Sequence, residues 1–142
     1  MKFSVNQKDL QQSLSYCQGV IEKRSTLPIL SNILLEAHGS KLKITATDLD
    51  LIFINEIDNV EVIEEGKTTT VSSTLYDIIR KFSSGKKINF NLNTENKIQI
   101  ESEKSIFNLN CMSPTEFPLT DENFNDNEFN LNAKHFLKLM NK

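Results

Sequence analysis

The sequence has few of the residues that build compact chemical sites. Its four glycines form neither a GxGxxG nor a phosphate-loop pattern, so nucleotide hydrolysis is not supported. The two cysteines, Cys17 and Cys111, stand far apart in the chain, without a CxxC pair or a nearby histidine. This spacing favours buried free thiols over a zinc site or a disulfide framework.

Long apolar runs are also absent. No window of the sequence holds the apolar run that a signal peptide or a membrane span requires. The chain instead opens with Phe3 and Val5 in the alternation that is typical of a strand. We therefore expect a cytoplasmic protein.

Basic residues do not dominate the charge. The 16 Lys and Arg against 19 Asp and Glu give a net charge of -3, which argues against a protein that holds nucleic acid mainly by neutralising phosphates. The distribution is uneven, because residues 72–87 carry +3 and residues 7–24 carry +1, while residues 36–66 carry -6 and residues 116–128 carry -5. The positive helical segments are consistent with loose phosphate contact or with ordinary solvated surfaces.

Hydrophobic periodicity predicts an α+β protein. A strand over residues 2–5 is followed by a helix that Asn6 caps, and then by strands over residues 32–37, 42–47 and 51–57. This β-α-β-β-β order recurs. The second helix has apolar residues at i, i+3, i+4 and i+7 and a cap at Ser72 or Ser73, and the strands of this unit are predicted over residues 67–71, 88–92, 98–100 and 106–109.

A third unit begins near the end of the sequence. Phe129 and Leu131 alternate as in a strand, Asn132 is a cap residue, and a helical stripe follows. The acidic segment from Thr115 to Glu128 has no basic residue and is typical of a linker. We therefore expect one domain, a linker and the start of a second domain, belonging to a longer protein.

The segment from Arg24 to Leu35, RSTLPILSNILL, closely resembles the motif after the first helix of the bacterial β sliding clamp family, a subunit of DNA polymerase III. Residues 1–5, 47–50, 105–109 and 116–118 resemble further landmarks of this family in the same order. The resemblance covers essentially the whole chain.

The resemblance implies a clamp domain of two β-α-β-β-β units, with helices on the inner face and antiparallel sheets on the outer face. It places the first domain at residues 1–120, a linker at residues 121–128 and the start of the second domain at residues 129–142. Three such domains form a family subunit, and two subunits join head to tail into a ring around duplex DNA. The ring is a processivity factor with no catalysis and no cofactor, and its other partners are a DNA polymerase and a clamp loader, which bind mainly the later domains.

The resemblance also implies contacts with DNA. Arg24 matches a family arginine that touches phosphate inside the ring. A second basic family position falls at Ser73 or Thr74, and three nearby basic residues are candidates to replace it: Arg80, Lys81 and Lys86.

A subunit interface is implied on the last edge strand. Phe107 and Leu109 match apolar family positions there, and Lys97 and Lys104 match basic positions that face acidic residues of the partner subunit. Ile106 departs from a third basic position. Core packing is the alternative interpretation of Phe107.

Other chemistry has little support in the sequence. Asp48 and Asp50 contain metal-ligating oxygens, but their alternation with leucines at a strand junction favours a turn, and no metal site is expected. His38 and His135 have no evident nucleophile or acid partner. The remaining alternative to a clamp is an interaction module that never touches DNA and whose basic helices face an acidic partner.

Overall fold

The computed structural model describes residues 1–21, 26–119 and 129–142. Two 3-10 turns, Pro28–Ser31 and Pro114–Glu116, accompany the regular elements. In chain order these elements are β1 (Lys2–Asn6), α1 (Gln7–Gln18), β2 (Asn32–His38), β3 (Lys41–Thr47), β4 (Ile52–Ile57), β5 (Glu61–Glu64), β6 (Gly66–Val71), α2 (Ser72–Ile79), β7 (Lys87–Leu92), β8 (Lys97–Ser102), β9 (Ser105–Met112) and α3 (Ala133–Met140).

The strands of the described residues form one antiparallel sheet in the order β4-β3-β2-β6-β9-β8-β7-β1-β5. The two repeated units exchange strands, because β6 of the second unit extends the first unit's hairpins and β1 of the first extends the second unit's. The junction between the halves is narrow, since β6 and β9 pair only at Thr69 with Met112 and at Thr70 with Cys111. The repeat is therefore a single interlocked domain.

The helices α1 and α2 bury their apolar stripes against one face of this sheet. Leu10, Leu14 and Cys17 of α1 and Leu75 and Ile79 of α2 are almost completely buried, and they belong to one core with the inward residues of the strands. The predicted fold class, helices on one face and antiparallel sheet on the other, is confirmed. No helix in the described part of the chain is long and apolar enough to cross a membrane.

The strand β5 was not predicted, so the first unit has one strand more than the β-α-β-β-β pattern. The sequence pattern of β5 is weak because this strand lies at the edge of the sheet, where β1 is its one partner among the described strands. Of its four residues, only Val62 is half-buried, while Ile63 is exposed. A strand that buries so little leaves a weak alternating pattern in the sequence.

The predicted caps are partly correct. Asn6 and Asn132 cap α1 and α3 through their side-chain oxygens. The predicted cap of α2 is wrong, because Val71 occupies that position without a side-chain hydrogen bond. Ser72 is instead the first helical residue, and its buried hydroxyl accepts a hydrogen bond from Gln18 over 2.9 Å.

The predicted strand at Phe129 and Leu131 is also wrong, since these residues lie in irregular chain before α3. A strand requires a hydrogen-bonded neighbour, and no described residue pairs with them. The predicted linker, residues 121–128, lies outside the described residues.

Candidate nucleic-acid interface

The helices α1 and α2 lie antiparallel, and a glutamine joins them at each end. The buried Gln7 side chain, at the start of α1, donates to the carbonyl oxygen of Ile79 at the end of α2 over 2.9 Å. At the other end of the pair, Gln18 donates to the hydroxyl of Ser72. The two helices therefore form one layer over the sheet, joined at both ends.

The solvent side of this layer is polar but carries little net charge. The apolar stripes of both helices point to the sheet, so exposed residues spaced three, four or seven apart form a stripe on the opposite side. On α1, on α2 and directly after α2, these exposed positions are Lys8, Gln12, Tyr16, Ser73, Asp77 and Arg80. We call this stripe the helical face. It holds two cations and one carboxylate.

The guanidinium group of Arg80 is held in place by two neighbours on the same helix. Its Nη2 atom donates to Oδ1 of Asp77 over 2.8 Å, and its central carbon lies 4.9 Å from the centre of the Tyr76 ring. Arg80 also lines a groove with Ser73 and Gln18. The second basic family position falls at Ser73 or Thr74. Of the three candidates to replace it, Arg80 is the one that lines the same groove as Ser73.

The other two candidates lie elsewhere. Lys81 follows the end of α2, directly before the buried Phe82, and it does not line the groove that Ser73 and Arg80 share. The backbone carbonyl of Lys86 accepts the N–H of Gln7 over 2.9 Å, so Lys86 lies at the end of the helix pair opposite to Ser73. Both lysines are exposed.

The leading candidate from the sequence, Arg24, belongs to residues 22–25 and lies outside the described residues. The structure therefore leaves its predicted role untested. The helix that precedes it ends at Gln18, and the described chain resumes at Thr26 before the 3-10 turn.

The strand β9 presents a partly free sheet edge. Over Ser105–Asn110 it pairs on one side with β8, whereas β6 joins its other side only at Cys111 and Met112. Among the described strands, residues 106–109, where the edge strand was predicted, thus have a neighbour on one side only, whereas the last two residues of β9 pair on both sides. The cause is the junction between the two halves of the sheet, which takes up the last two residues.

Phe107 and Leu109 lie on the inner side of this edge. They pair in register with the buried residues Ile100 and Ile98 of β8, and each is half-buried. The ring of Phe107 meets that of Phe82 edge to face, with 5.8 Å between the ring centres. Phe107 thus packs against the core on one side and keeps part of its surface free at the sheet edge.

The two predicted interface lysines bracket the β8–β9 hairpin. Lys97 starts β8 opposite Asn110, while Lys104 lies in the turn between the two strands. The two lysines therefore lie at opposite ends of the hairpin, because the five residue steps from Lys97 to Ser102 span roughly 17 Å. Lys97 is exposed, and its Nζ lies 3.6 Å from a carboxylate oxygen of Glu95.

Residues 1–121 match the family described as DNA polymerase III beta subunit, N-terminal domain. The chain belongs to this family. A beta sliding clamp from Caulobacter vibrioides is 32% identical over 100% of this chain and 38% of the relative's length. A beta sliding clamp from Escherichia coli strain K12 is 33% identical over 92% of this chain and 36% of the relative.

Solved structures agree with the sequence relationship. The crystal structure of the DNA polymerase sliding clamp from Caulobacter crescentus superposes with a TM-score of 0.82 and 35% identity, covering 87% of this chain and 33% of that one. The chain thus spans little more than a third of the length of the beta-subunit relatives that it matches.

Within this beta-subunit domain, Asp48 in the β3–β4 connection has a structural role. Oδ1 of Asp48 accepts the backbone N–H groups of Asp50 and Leu51 over 3.0 and 2.6 Å, which confirms the predicted turn. Leu49 has a φ of 82°, a strained value that these hydrogen bonds support. Among residues 1–21, 26–119 and 129–142, no group of three or more potential metal ligands lies together.

The cysteines of the domain are free but not equally buried. Burial raises the pKa of the Cys17 thiol to about 12, so this thiol stays protonated and unreactive near neutral pH. Burial also raises the pKa of Cys111, although that side chain is only half-buried. The prediction of buried thiols is thus confirmed for Cys17 and wrong for Cys111, which is half-buried at the narrow junction between β6 and β9.

Two features of the beta-subunit domain were missed at the level of sequence. The glutamine bridges between the helices have no local signal, because their partners are 54 and 72 residues away. The contacts of Arg80 with Tyr76 and Asp77 did have a local signal in the sequence. These residues stand at the i-4 and i-3 positions, where helical side chains meet.

Proposed function

We propose that this chain is the first part of a β sliding clamp subunit, a non-catalytic processivity factor of DNA replication in the cytoplasm. Residues 1–120 form its first domain, residues 121–128 a linker and residues 129–142 the start of its second domain. Two complete subunits join head to tail into a ring that encircles duplex DNA and tethers the replicative polymerase. The polymerase and the clamp loader bind mainly to the later domains.

The observation that carries this proposal is the match of residues 1–121 to the beta-subunit family, joined to 35% identity with a solved clamp. The helical face supplies a physical reason for sliding. Two cations, one of them already paired with a carboxylate, attract phosphates too weakly to hold DNA by charge alone. A ring retains the DNA by topology and leaves each contact weak.

On this proposal, Arg24 contacts the phosphate backbone inside the ring. Arg80 is the next candidate, because it lies on the helical face and shares a groove with Ser73. Lys81 and Lys86 are weaker candidates, since Lys81 does not line that groove and Lys86 lies at the far end of the helix pair.

The subunit interface is proposed at the free edge of β9. A strand of the partner subunit can extend the sheet along Ser105–Asn110, where no strand of the described chain pairs on the side away from β8. Phe107 and Leu109 supply apolar surface beside this edge, and Lys97 and Lys104 supply positive charge at the two ends of the hairpin.

Retention on circular DNA tests the function. The full-length protein is loaded by the clamp loader of the same organism onto a primed, nicked circle and isolated by gel filtration, and half of the sample is then cut once with a restriction enzyme. A clamp stays on the circle and leaves the linear product by sliding off its ends. Equal retention on both forms would overturn the proposal, and absence of binding to both would favour the interaction module that never touches DNA.

A further inference from the structure

We infer that Asp77 weakens the phosphate contact made by Arg80 and so helps to keep the helical face loosely bound to DNA. This inference rests on the proposed function, in which the helical face lies against the duplex. It assigns a role to a carboxylate on a surface where negative charge opposes binding.

The geometry around Arg80 shows how this occurs. Asp77 takes one donor atom, Nη2, over 2.8 Å, and both side chains are largely exposed. Tyr76 lies against the guanidinium group at 4.9 Å and limits its orientation. Because a guanidinium group has five N–H donors, several remain for a phosphate oxygen. Arg80 is thus oriented and able to donate, but its charge is largely balanced.

The charge balance determines the strength of the contact. Affinity for duplex DNA rises mainly with the number of phosphates that a protein neutralises and the counterions that it thereby releases. A cation that already has a carboxylate at hydrogen-bond distance neutralises a phosphate only in part. The Asp77–Arg80 pair therefore makes a directed but weak contact that one substitution would strengthen.

Lys8, on the same helical face, shows that the pairing is specific. Its side chain is exposed, and it forms no ion pair within the part of the chain that the structure describes. The acidic residue that follows it, Asp9, lines a different groove with Asn55 on β4. The negative charge of Asp77 is therefore directed at Arg80 in particular.

A double-mutant cycle in the full-length protein tests the inference. Binding to a short fluorescent duplex, too short to retain a ring, is measured by anisotropy over a series of salt concentrations. We expect D77N to bind about two- to five-fold more tightly, the range of an exposed ion pair, and with a steeper salt dependence. We expect R80A to bind more weakly. The D77N/R80A double variant should bind like R80A, because Asp77 acts through Arg80.

E101Q is the matched control, because it removes the same charge from an exposed residue on the outer face of β8. Circular dichroism checks that all variants are folded. The inference is overturned if D77N binds like the unmodified protein, if E101Q tightens binding equally, or if D77N still tightens binding in the R80A background. The circle experiment decides the clamp proposal separately, since the short duplex cannot report retention by topology.

Discussion

The side-chain amide of Gln7 donates to the carbonyl oxygen of Ile79 over 2.9 Å, inside the core between the two helices. Ile79 ends α2, and its carbonyl belongs to the last turn, which has no partner within the helix. Within the described residues, the one other donor to this oxygen is the N–H of Phe82, at 3.3 Å. The Gln7 side chain, at the start of α1, therefore supplies a hydrogen bond that the end of α2 would otherwise lack.

We predict that Gln7→Ala lowers the free energy of unfolding by about 1–3 kcal/mol, because a buried carbonyl loses its better partner. Urea denaturation followed by circular dichroism measures this change. Gln12→Ala is the control, since Gln12 lies on the solvent side of the same helix and its hydrogen bond to Tyr16 is exposed. Equal effects of the two substitutions would show that the bridge contributes nothing specific.

Cys17 predicts a pH dependence of stability. Burial raises the pKa of its thiol from 9.0 to about 12 in the folded protein. Below pH 9 the thiol is protonated in both the folded and the unfolded protein, and the folded state keeps its full stability. Between pH 9 and pH 12 the thiol ionises in the unfolded protein only, so stability is lost as the pH rises. Between pH 8 and pH 10 we expect the protein to lose roughly 1 kcal/mol more stability than a Cys17→Ala variant does.

The comparison between the two proteins isolates Cys17, since every other titrating group is present in both. The loss of volume in Cys17→Ala lowers stability by a similar amount at both pH values, so it does not affect the difference. Parallel stability curves for the two proteins from pH 8 to pH 10 would show that Cys17 remains a thiol of ordinary pKa.

Much of this fold could be predicted from local patterns. The helices and the strands that bury one face have strong periodicity, and the caps at Asn6 and Asn132 act within two or three residues. The predictions that failed concerned residues whose hydrogen-bond partners are distant in the sequence. Ser72 is a good cap residue by type, but Gln18 of the other helix takes its hydroxyl. The strand β5 exists because β1 pairs with it, and not because of its own pattern.

The candidate sites follow the same division. Family resemblance supplied Phe107 and Leu109, but the sheet order was needed to find that only part of β9 is a free edge. Likewise, the sequence offered Arg80, Lys81 and Lys86 as equivalent cations. In the folded chain, Arg80 shares a groove with Ser73 and Lys81 does not, while the hydrogen bond from the Gln7 N–H places Lys86 at the opposite end of the helix pair.

Arg24 provides a direct test of phosphate contact. In the full-length protein, we predict that Arg24→Ala weakens binding to a short duplex and reduces the slope of log affinity against log salt by about 0.9, the effect of losing one phosphate contact. Thermal unfolding should be unchanged. Lys41→Ala is the control, because Lys41 lies on the outer face of β3 and already pairs with Glu56 and Asp58.

The free edge of β9 leads to a prediction about assembly. Changing Phe107 to Asp places a charge where an apolar ring meets Phe82 and the proposed partner strand, so we expect the full-length protein to shift from dimer to monomer in analytical ultracentrifugation. Ile63→Asp is the control, since Ile63 is 61% exposed on β5, at the far end of the sheet. Circular dichroism separates a folded monomer from an unfolded chain. A folded Phe107→Asp protein that remains dimeric would place the subunit contact away from this edge.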